Sequence, residues 1–129
     1  MKKIMILQFF IALVCLSCTD TEEPFLSHIY GWAYRASDST GINGLTIRIR
    51  DIDAYDVTQV RDRTTVTEIM DSLDGYFELD SVCHGTTSIQ GIGYVIMFID
   101  SVDNPNWPDT NWFPDIRGPV DTVTFYLED

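Results

Sequence analysis

Short runs of β-branched and aromatic residues alternate with polar residues from Ser27 onward, and Gly, Asp, Asn and Pro separate the runs. In the clearest run, residues 45–50, three aliphatic residues alternate with threonine and two arginines, which predicts one apolar and one polar face. No stretch of this region has a convincing helical period. We predict an all-β domain with strands at about residues 28–35, 45–50, 61–68, 76–79, 86–92, 93–99 and 122–127.

About seven short strands with turns at this spacing predict a single β-sandwich, in which two sheets pack around one core. The run 93–99 is apolar on both faces, so we place it in the interior of a sheet. Gly31 marks a close backbone approach. Turns are predicted at residues 71–75 and 80–85, in which Asp74-Gly75 and Gly85 supply the positive φ of tight turns. The predicted core consists of Ile47, Ile49, Phe77, Leu79, Ile96, Phe98, Val123 and Phe125, with Ile29, Trp32 and Tyr34 as candidates for burial in the first strand.

The first 17 residues have the three parts of a secretory signal peptide: two lysines, an apolar run interrupted only by Gln8, and a small residue, Ser17, before Cys18. The apolar run is too short to span a bilayer comfortably. This segment resembles bacterial lipoprotein signals, in which the cysteine after the cleavage site is acylated. We therefore assign residues 1–17 to a lipoprotein signal peptide and Cys18 to lipidation. An ordinary secretory signal, acylation of Cys15 and an uncleaved anchor helix are the alternatives.

Residues 18–26 are predicted to form an acidic tether that leads to the sandwich domain, residues 27–129. Its acidic residues Asp20, Glu22 and Glu23 are similar to the export signal that sends some lipoproteins to the outer face of the outer membrane. This predicts a lipid-anchored protein exposed at the cell surface, with the periplasmic face of the outer membrane as the alternative. A flexible, solvated tether is compatible with both locations.

The charge of the chain limits its classes of partner. The formal net charge is −12, and removal of Lys2 and Lys3 with the signal peptide leaves six arginines against 20 acidic residues, or −14. Such a surface repels phosphate backbones and anionic lipid headgroups, so we expect no nucleic acid partner and membrane contact through the acyl chains alone. With Cys18 acylated, Cys83 has no disulfide partner and is predicted to be a small buried hydrophobic residue.

Four motifs together resemble the carboxypeptidase regulatory-like, transthyretin-like β-sandwich. They are Ile29-Tyr30-Gly31, Gly41-Ile42-Asn43-Gly44-Leu45-Thr46-Ile47, Asp74-Gly75-Tyr76-Phe77-Glu78-Leu79 and Val82-Cys83-His84-Gly85. The resemblance covers about residues 27–100. Gly75, Phe77 and Gly85 fall on glycine and aromatic positions of the family, whereas the proline of the first turn and the Thr-Asp pair are missing. Residues 98–104 are also similar to small lipoproteins of this fold found beside radical-enzyme genes.

Catalysis is not expected. The carboxypeptidases that contain this regulatory domain use a separate zinc domain, and neither His28 nor His84 is followed by a glutamate at metal-ligand spacing. The transthyretin-like hydrolases that resemble this fold end in Tyr-Arg-Gly-Ser, whereas Leu-Glu-Asp follows Tyr126 here. Ser, Asp and His all occur, but a catalytic triad is defined by geometry. We predict a protein without enzymatic activity and without a cofactor.

The segment 100–119 is long for a loop in a small sandwich, and it interleaves acidic and amide side chains with aromatic ones. Oxygen ligands of this kind bind calcium in weak extracellular sites, and exposed tryptophans stack against sugar rings. Alternatively, the aromatic residues cover the open end of the sandwich and the prolines stiffen the segment, which is the interpretation we favour. The candidate residues of a ligand or calcium loop are Asp100, Asp103, Asn106, Trp107, Asp109 and Trp112.

These patterns predict a lipid-anchored, non-catalytic accessory or binding module at the bacterial outer surface, with surface proteins or polysaccharide as its partners. A glycan-binding surface lipoprotein that uses the loop of Trp107 and Trp112 is the alternative. The burial of these two tryptophans separates the hypotheses, because only an exposed aromatic ring can stack on a sugar.

Overall fold

The computed structural model describes residues 23–87 and 95–129, and this part of the chain is all-β, with two four-stranded sheets and no helix. Sheet A has the strand order β4-β5-β1-β8, and sheet B has the order β3-β2-β6-β7. The strands are β1 (Pro24–Arg35), β2 (Thr46–Ile52), β3 (Val60–Val66), β4 (Glu68–Met70), β5 (Leu73–Thr86), β6 (Ile96–Ile99), β7 (Thr110–Trp112) and β8 (Val120–Leu127).

The pairing places one strand from each half of the chain in the interior of sheet A. β1 lies between β5, to which it is antiparallel, and β8, to which it is parallel. In sheet B, β6 lies between β2 and β7, which confirms its predicted interior position over Ile96–Ile99. The predicted strand 86–92 lies mostly outside the described residues. The short strands β4 and β7 were not predicted, and β1 begins inside the predicted tether, at Pro24.

One hydrophobic cluster fills the space between the sheets, as the sandwich prediction requires. Its largest side chains are Phe77, Ile29 and Leu127 from sheet A and Ile47, Ile49, Met97 and Ile99 from sheet B. The rings of Phe77 and Phe125 lie 5.5 Å apart, and the predicted core residues Leu79 and Val123 are partly buried against the cluster. Each large buried side chain contributes about 1.5–3 kcal/mol to stability. Cys83 is fully buried and free, which confirms its predicted role.

The predicted inward face of β1 is wrong for two of its three residues. Ile29 is buried as expected, but it shares the inward face with Ala33, whereas Trp32 and Tyr34 lie on the outer face of sheet A. We predicted burial because these side chains are large and aromatic. The alternation that starts at Ile29, however, places small residues between them on the inward face.

The core prediction for β6 also selected the wrong face of the strand. Met97 and Ile99 are buried, whereas Ile96 and Phe98 are only partly buried, and the guanidinium of Arg50 lies 5.5 Å from the centre of the Phe98 ring. Because this run is apolar at every position, its sequence contains no alternation that could have identified the inward face.

The predicted turn 71–75 is confirmed for its first two residues, whereas its remaining residues and the predicted turn 80–85 lie within β5. The hairpin between β4 and β5 turns at Asp71 and Ser72, whose φ angles are 50° and 66°, as a tight two-residue turn requires. Gly75 lies inside β5 with a φ of 87°, and a Cβ there would lie 2.4 Å from the carbonyl oxygen of Ala33. The predicted turn 80–85 is part of β5, which passes through an irregularity at Ser81 (φ 55°) and continues to Thr86.

Gly31 brings two strands of sheet A close together, as predicted. A Cβ at this position would lie 1.6 Å from the carbonyl oxygen of Val123 on β8. Real Cβ atoms do not approach a backbone oxygen this closely, so any larger residue would separate β1 from β8. Gly31 is therefore required for the parallel pairing that completes sheet A.

A buried carboxylate connects the two sheets. The side chain of Asp51 on β2 is 0% exposed and accepts hydrogen bonds from Arg61 Nε (2.9 Å) and Nη2 (2.8 Å) and from Arg63 Nη2 (3.0 Å). It also accepts the backbone N–H of Cys83 on β5 at 2.8 Å. We call Asp51, Arg61 and Arg63 the Asp51 cluster. Because two arginines and one backbone N–H donate to this carboxylate, the buried charge is compensated.

The same two arginines also donate hydrogen bonds to backbone carbonyl groups along the unpaired edge of β5. β4 pairs with β5 only as far as Tyr76, so the following carbonyl groups have no neighbouring strand on that side. Arg63 Nη1 donates to the Asp80 carbonyl (2.8 Å), Arg61 Nη2 donates to the Ser81 carbonyl, and Thr65 Oγ1 donates to the Glu78 carbonyl (2.9 Å). Side chains of β3 in sheet B therefore close this edge of sheet A.

We predict that Asp51→Asn lowers the free energy of unfolding by about 3–5 kcal/mol, because it leaves two arginines without their shared counter-charge. The matched control is Asp62→Asn, since Asp62 pairs with Arg50 directly beside the cluster but its side chain is 43% exposed. The control is expected to cost at most about 1 kcal/mol. Urea unfolding followed by tryptophan fluorescence measures both, and equal losses would contradict the role given to Asp51.

Candidate functional site

The outer face of sheet A carries a group of aromatic side chains. Alternate residues of β1 are buried, so the residues between them point away from the core, and neighbouring strands add two tyrosines beside them. We call this group the aromatic face; it consists of His28, Tyr30, Trp32 and Tyr34 on β1, Tyr76 on β5 and Tyr126 on β8.

Strand register brings these rings together. Trp32 lies opposite Tyr76 on β5, and Tyr34 lies opposite Tyr126 on β8. Residues that are directly opposite in paired strands share a face, so their side chains meet. The ring centroids of Trp32 and Tyr76 are 5.7 Å apart, and those of Tyr34 and Tyr126 are 5.5 Å apart.

Further contacts link most of the rings into a continuous series. The Tyr30 centroid is 6.0 Å from that of Trp32 and 6.5 Å from those of both Tyr76 and His28. These are the separations of tilted and edge-to-face aromatic pairs, which stabilise each other beyond the burial of their area. The rings therefore hold one another in place and fill the gaps between them.

Carboxylates border the aromatic face on the side of β4 and β5. Glu78 Oε2 accepts a hydrogen bond of 2.9 Å from Tyr76 OH and lies 3.3 Å from His28 Nε2. Asp80 Oδ1 lies 3.4 Å from His28 Nδ1, and Glu68 on β4 lies opposite Tyr76. We call Glu68, Glu78 and Asp80 the carboxylate rim. On the other side, Thr122 and Thr124 of β8 lie opposite Tyr30 and Trp32.

The Tyr76 hydroxyl is held in its neutral form. Burial raises its pKa to about 12, and the hydrogen bond to the Glu78 carboxylate acts in the same direction. The phenol therefore stays a hydrogen-bond donor throughout the physiological pH range, and Glu78 keeps a fixed orientation beside the rings.

The two tryptophans of the predicted ligand loop are partly buried against the hydrophobic core. The Trp112 ring centroid is 4.0 Å from that of Phe125, and Trp107 carries the guanidinium of Arg35 at 5.0 Å from its ring centre. The backbone N–H of Trp107 donates to the Asn104 carbonyl at 3.0 Å. Both rings therefore pack against the hydrophobic cluster, whereas Trp32, which is also half-buried, packs against Tyr30 and Tyr76 on the outer face of sheet A.

The polar candidate residues of that loop mostly bond to their own surroundings. Asp103 pairs with Arg48 at 2.7 Å, and the Oδ1 atoms of Asp100 and Asp109 accept the backbone N–H groups of Val102 and Ser101. The bonds from Ser101 lower the pKa of Asp109. Asn106 is exposed. Within residues 23–87 and 95–129, no group of three or more His, Cys, Asp or Glu side chains could hold a metal ion.

Asp100 and Asp109 both line an open groove of about 600 Å³ on the other side of the sandwich. Its further lining includes Arg50, Phe98 and Asn111. Arg50 is already paired with Asp62 by two hydrogen bonds of 2.7 and 2.9 Å. Arg50, Asp100 and Asp109 therefore already have hydrogen-bond partners, and we place the candidate site at the aromatic face.

Sequence reasoning missed the aromatic face, although the chain contains a signal for it. His28, Tyr30, Trp32 and Tyr34 recur at every second position, which is the period of one face of a strand. Aromatic residues in such a row were assigned to the core, because large apolar side chains are usually buried. Only the structure shows that the row lies, half-buried, on the outer face of sheet A and gains Tyr76 and Tyr126.

A comparison of the chain with protein-family models, curated proteins and solved structures finds no match. Among the residues that the structure describes, no helix is both long and apolar enough to span a bilayer. The predicted lipidation residue, Cys18, lies outside the described residues.

We predict that one tyrosine titrates at about pH 12 and that Tyr76→Phe abolishes this step. The unfolded chain releases the same proton near pH 10. The folded state thus retains a proton that the unfolded state loses, so this contribution to stability is present below about pH 10 and disappears as the pH rises toward 12. Ultraviolet absorbance of tyrosinate measures the titration. Glu78→Gln should lower the pKa only in part, because burial is the larger cause; a late step that survives in Tyr76→Phe would refute the assignment.

Proposed function

We propose that this protein is a lipid-anchored, non-catalytic binding module displayed at the bacterial outer surface, and that the aromatic face is its contact surface. The observation that carries the proposal is the row of half-buried rings on the outer face of sheet A, ordered by mutual contacts and bordered by carboxylates. Tyrosine and tryptophan provide much of the binding energy at recognition surfaces, since each supplies large contact area at low conformational cost.

We further propose that the sandwich is of the carboxypeptidase regulatory-like, transthyretin-like type. Two positions of the resembling motifs support this. Gly75 lies in β5 where the backbone of β1 leaves no room for a side chain, and Phe77 follows it into the core. In this interpretation Gly75 and Phe77 are required for folding, and the aromatic face is a feature of this chain added to the outer side of the same strands.

Two features favour a binding role over catalysis. His28 of the aromatic face and the rim carboxylates Glu78 and Asp80 lie on an open sheet surface, where water screens their charges. Catalytic groups usually converge in a cleft that excludes water. Their contacts with Tyr76 and with one another serve to orient the surface.

Anchoring through Cys18 would orient this surface relative to the membrane. Five residues lie between Cys18 and Pro24, and an extended chain of that length spans at most about 20 Å. The start of β1 would therefore stay near the lipid headgroups. In this arrangement, His28 lies at the membrane-proximal end of the aromatic face and Tyr34 at the distal end.

We predict that radioactive palmitate labels the wild-type protein and Cys15→Ala in the producing bacterium but does not label Cys18→Ala. The first two keep the cysteine that follows the predicted cleavage site. External protease should digest the labelled protein on intact cells if it is surface-exposed. Labelled Cys18→Ala would show that a different residue is acylated, and protection in intact cells would place the protein on the periplasmic face.

We predict that the Cys18→Ala chain, purified without acyl chains, binds saturably to envelopes of the producing bacterium and that a Trp32→Thr, Tyr76→Thr pair weakens this binding at least about ten-fold. Threonine removes the rings and suits a solvent-facing strand position. Sedimentation with washed envelopes measures the affinity.

The matched control is Phe113→Thr, because Phe113 is an exposed aromatic residue (56%) away from the aromatic face. This variant should bind like the parent chain. Circular dichroism and urea unfolding establish that the double variant is folded. Envelope binding that is absent from the parent, or unchanged in the folded double variant, would contradict the proposal.

A further inference from the structure

We infer that the ligand of the aromatic face is a neutral polysaccharide, whose chain lies along β1. This inference rests on the proposed function, since it names the class of ligand for the same surface. Three properties of the face lead to it: the shape of the ring array, the arrangement of its polar groups and the sign of its charge.

The shape suits an extended chain of flat units. Side chains that point to the same face of a strand are about 6.6 Å apart, so the four rings from His28 to Tyr34 extend over about 20 Å. The contacts among Tyr30, Trp32 and Tyr76 close the spaces between these rings. The result is a ridged platform, because Trp32 meets Tyr30 and Tyr76 edge-on, at interplanar angles of 78° and 64°. The anchor side chains of a protein partner, by contrast, usually enter pockets.

Sugar rings match such a platform chemically. One face of a pyranose carries C–H groups whose slight positive charge is attracted to the negative face of an aromatic ring. The equatorial hydroxyl groups point sideways and need hydrogen-bond partners at the borders of the platform. Here the carboxylate rim lies along one border, and the hydroxyl groups of Thr122 and Thr124 lie along the other.

The charge of the surface favours a ligand without negative groups. The rim contributes three carboxylates, and every arginine of the described chain pairs with a carboxylate other than the rim. These pairs are Arg35 with Asp129, Arg48 with Asp103, Arg50 with Asp62, Arg61 and Arg63 with Asp51, and Arg117 with Asp115. No arginine is thus placed to attract uronate, sulfate or phosphate groups to the aromatic face.

The rim is also less attractive to a cation than its three charges suggest. His28 lies between Glu78 and Asp80 at 3.3 and 3.4 Å, and Tyr76 OH occupies the same Glu78 oxygen. A cationic polymer would have to displace these contacts. Hydroxyl groups of a neutral sugar can instead use the lone pairs that remain on each carboxylate.

Affinity electrophoresis of the Cys18→Ala chain tests the inference. The neutral probes are hydroxyethyl cellulose, galactomannan, xyloglucan and soluble starch, and the charged probes are polygalacturonate and chitosan. We expect at least one neutral probe to retard the protein, and Trp32→Thr to weaken that interaction at least about ten-fold while Phe113→Thr leaves it unchanged. Polygalacturonate should give no retardation even at low salt, where electrostatic attraction would be strongest.

Sedimentation with phosphatidylcholine vesicles separates sugar binding from membrane binding. Vesicle binding that depends on Trp32 would overturn the inference and identify a lipid surface as the ligand. Stronger retardation by either charged probe than by every neutral probe would also overturn it. If no neutral probe retards the protein but envelope binding still requires Trp32 and Tyr76, the polysaccharide inference is wrong and the proposed binding role stands. If envelope binding is absent as well, both are wrong.

Discussion

The buried carboxylate of Asp51 is the interaction on which the rest of the sandwich depends. A charge with no solvent exposure is stable only when donors surround it, and here β3 and β5 supply them from opposite sheets. Breaking this arrangement would leave Arg61 and Arg63 without a counter-charge and free the carbonyl groups of Asp80 and Ser81. The cluster therefore fixes the distance and register between the sheets at the edge where β4 no longer covers β5.

The order of the aromatic face follows from this constraint. β5 supplies Tyr76 to the aromatic face, while its later part joins the Asp51 cluster, so the same strand is held from both ends. β1 lies in the interior of sheet A, paired on both sides, so its backbone cannot move without breaking two ladders. Gly31 allows the close approach of β8, which brings Tyr126 beside Tyr34. A rigid support of this kind keeps the rings ordered before any ligand binds, which lowers the entropic cost of binding.

Much of the fold could be predicted from local patterns, whereas the aromatic face could not. The two faces of β2 and the close approach at Gly31 were predictable, since each depends on the local sequence of a single strand. The inward face of β6 has no such signal, because all of its residues are apolar. In the sequence, Asp51 resembles the start of a polar connection between strands. Its buried role is visible only in the β2–β3 ladder, where Arg61 lies opposite it. The row from His28 to Tyr34 was visible, but its exposure depends on pairing with distant strands. For the loop, the favoured prediction was that its aromatic residues cover the end of the sandwich. The core contacts of Trp107 and Trp112 agree with it, whereas Phe113 is 56% exposed.

The central claim is that a ligand meets the outer face of sheet A and not the loop of Trp107 and Trp112. The chain has three tryptophans, and each gives one indole N–H signal in a ¹H–¹⁵N NMR spectrum, assignable through Trp32→Phe, Trp107→Phe and Trp112→Phe. Titration with soluble oligosaccharides of the neutral polysaccharides should shift the Trp32 signal saturably and leave the other two in place. No shift of any of the three would contradict the polysaccharide inference alone, whereas a saturable shift of Trp107 or Trp112 with Trp32 unmoved would contradict the central claim.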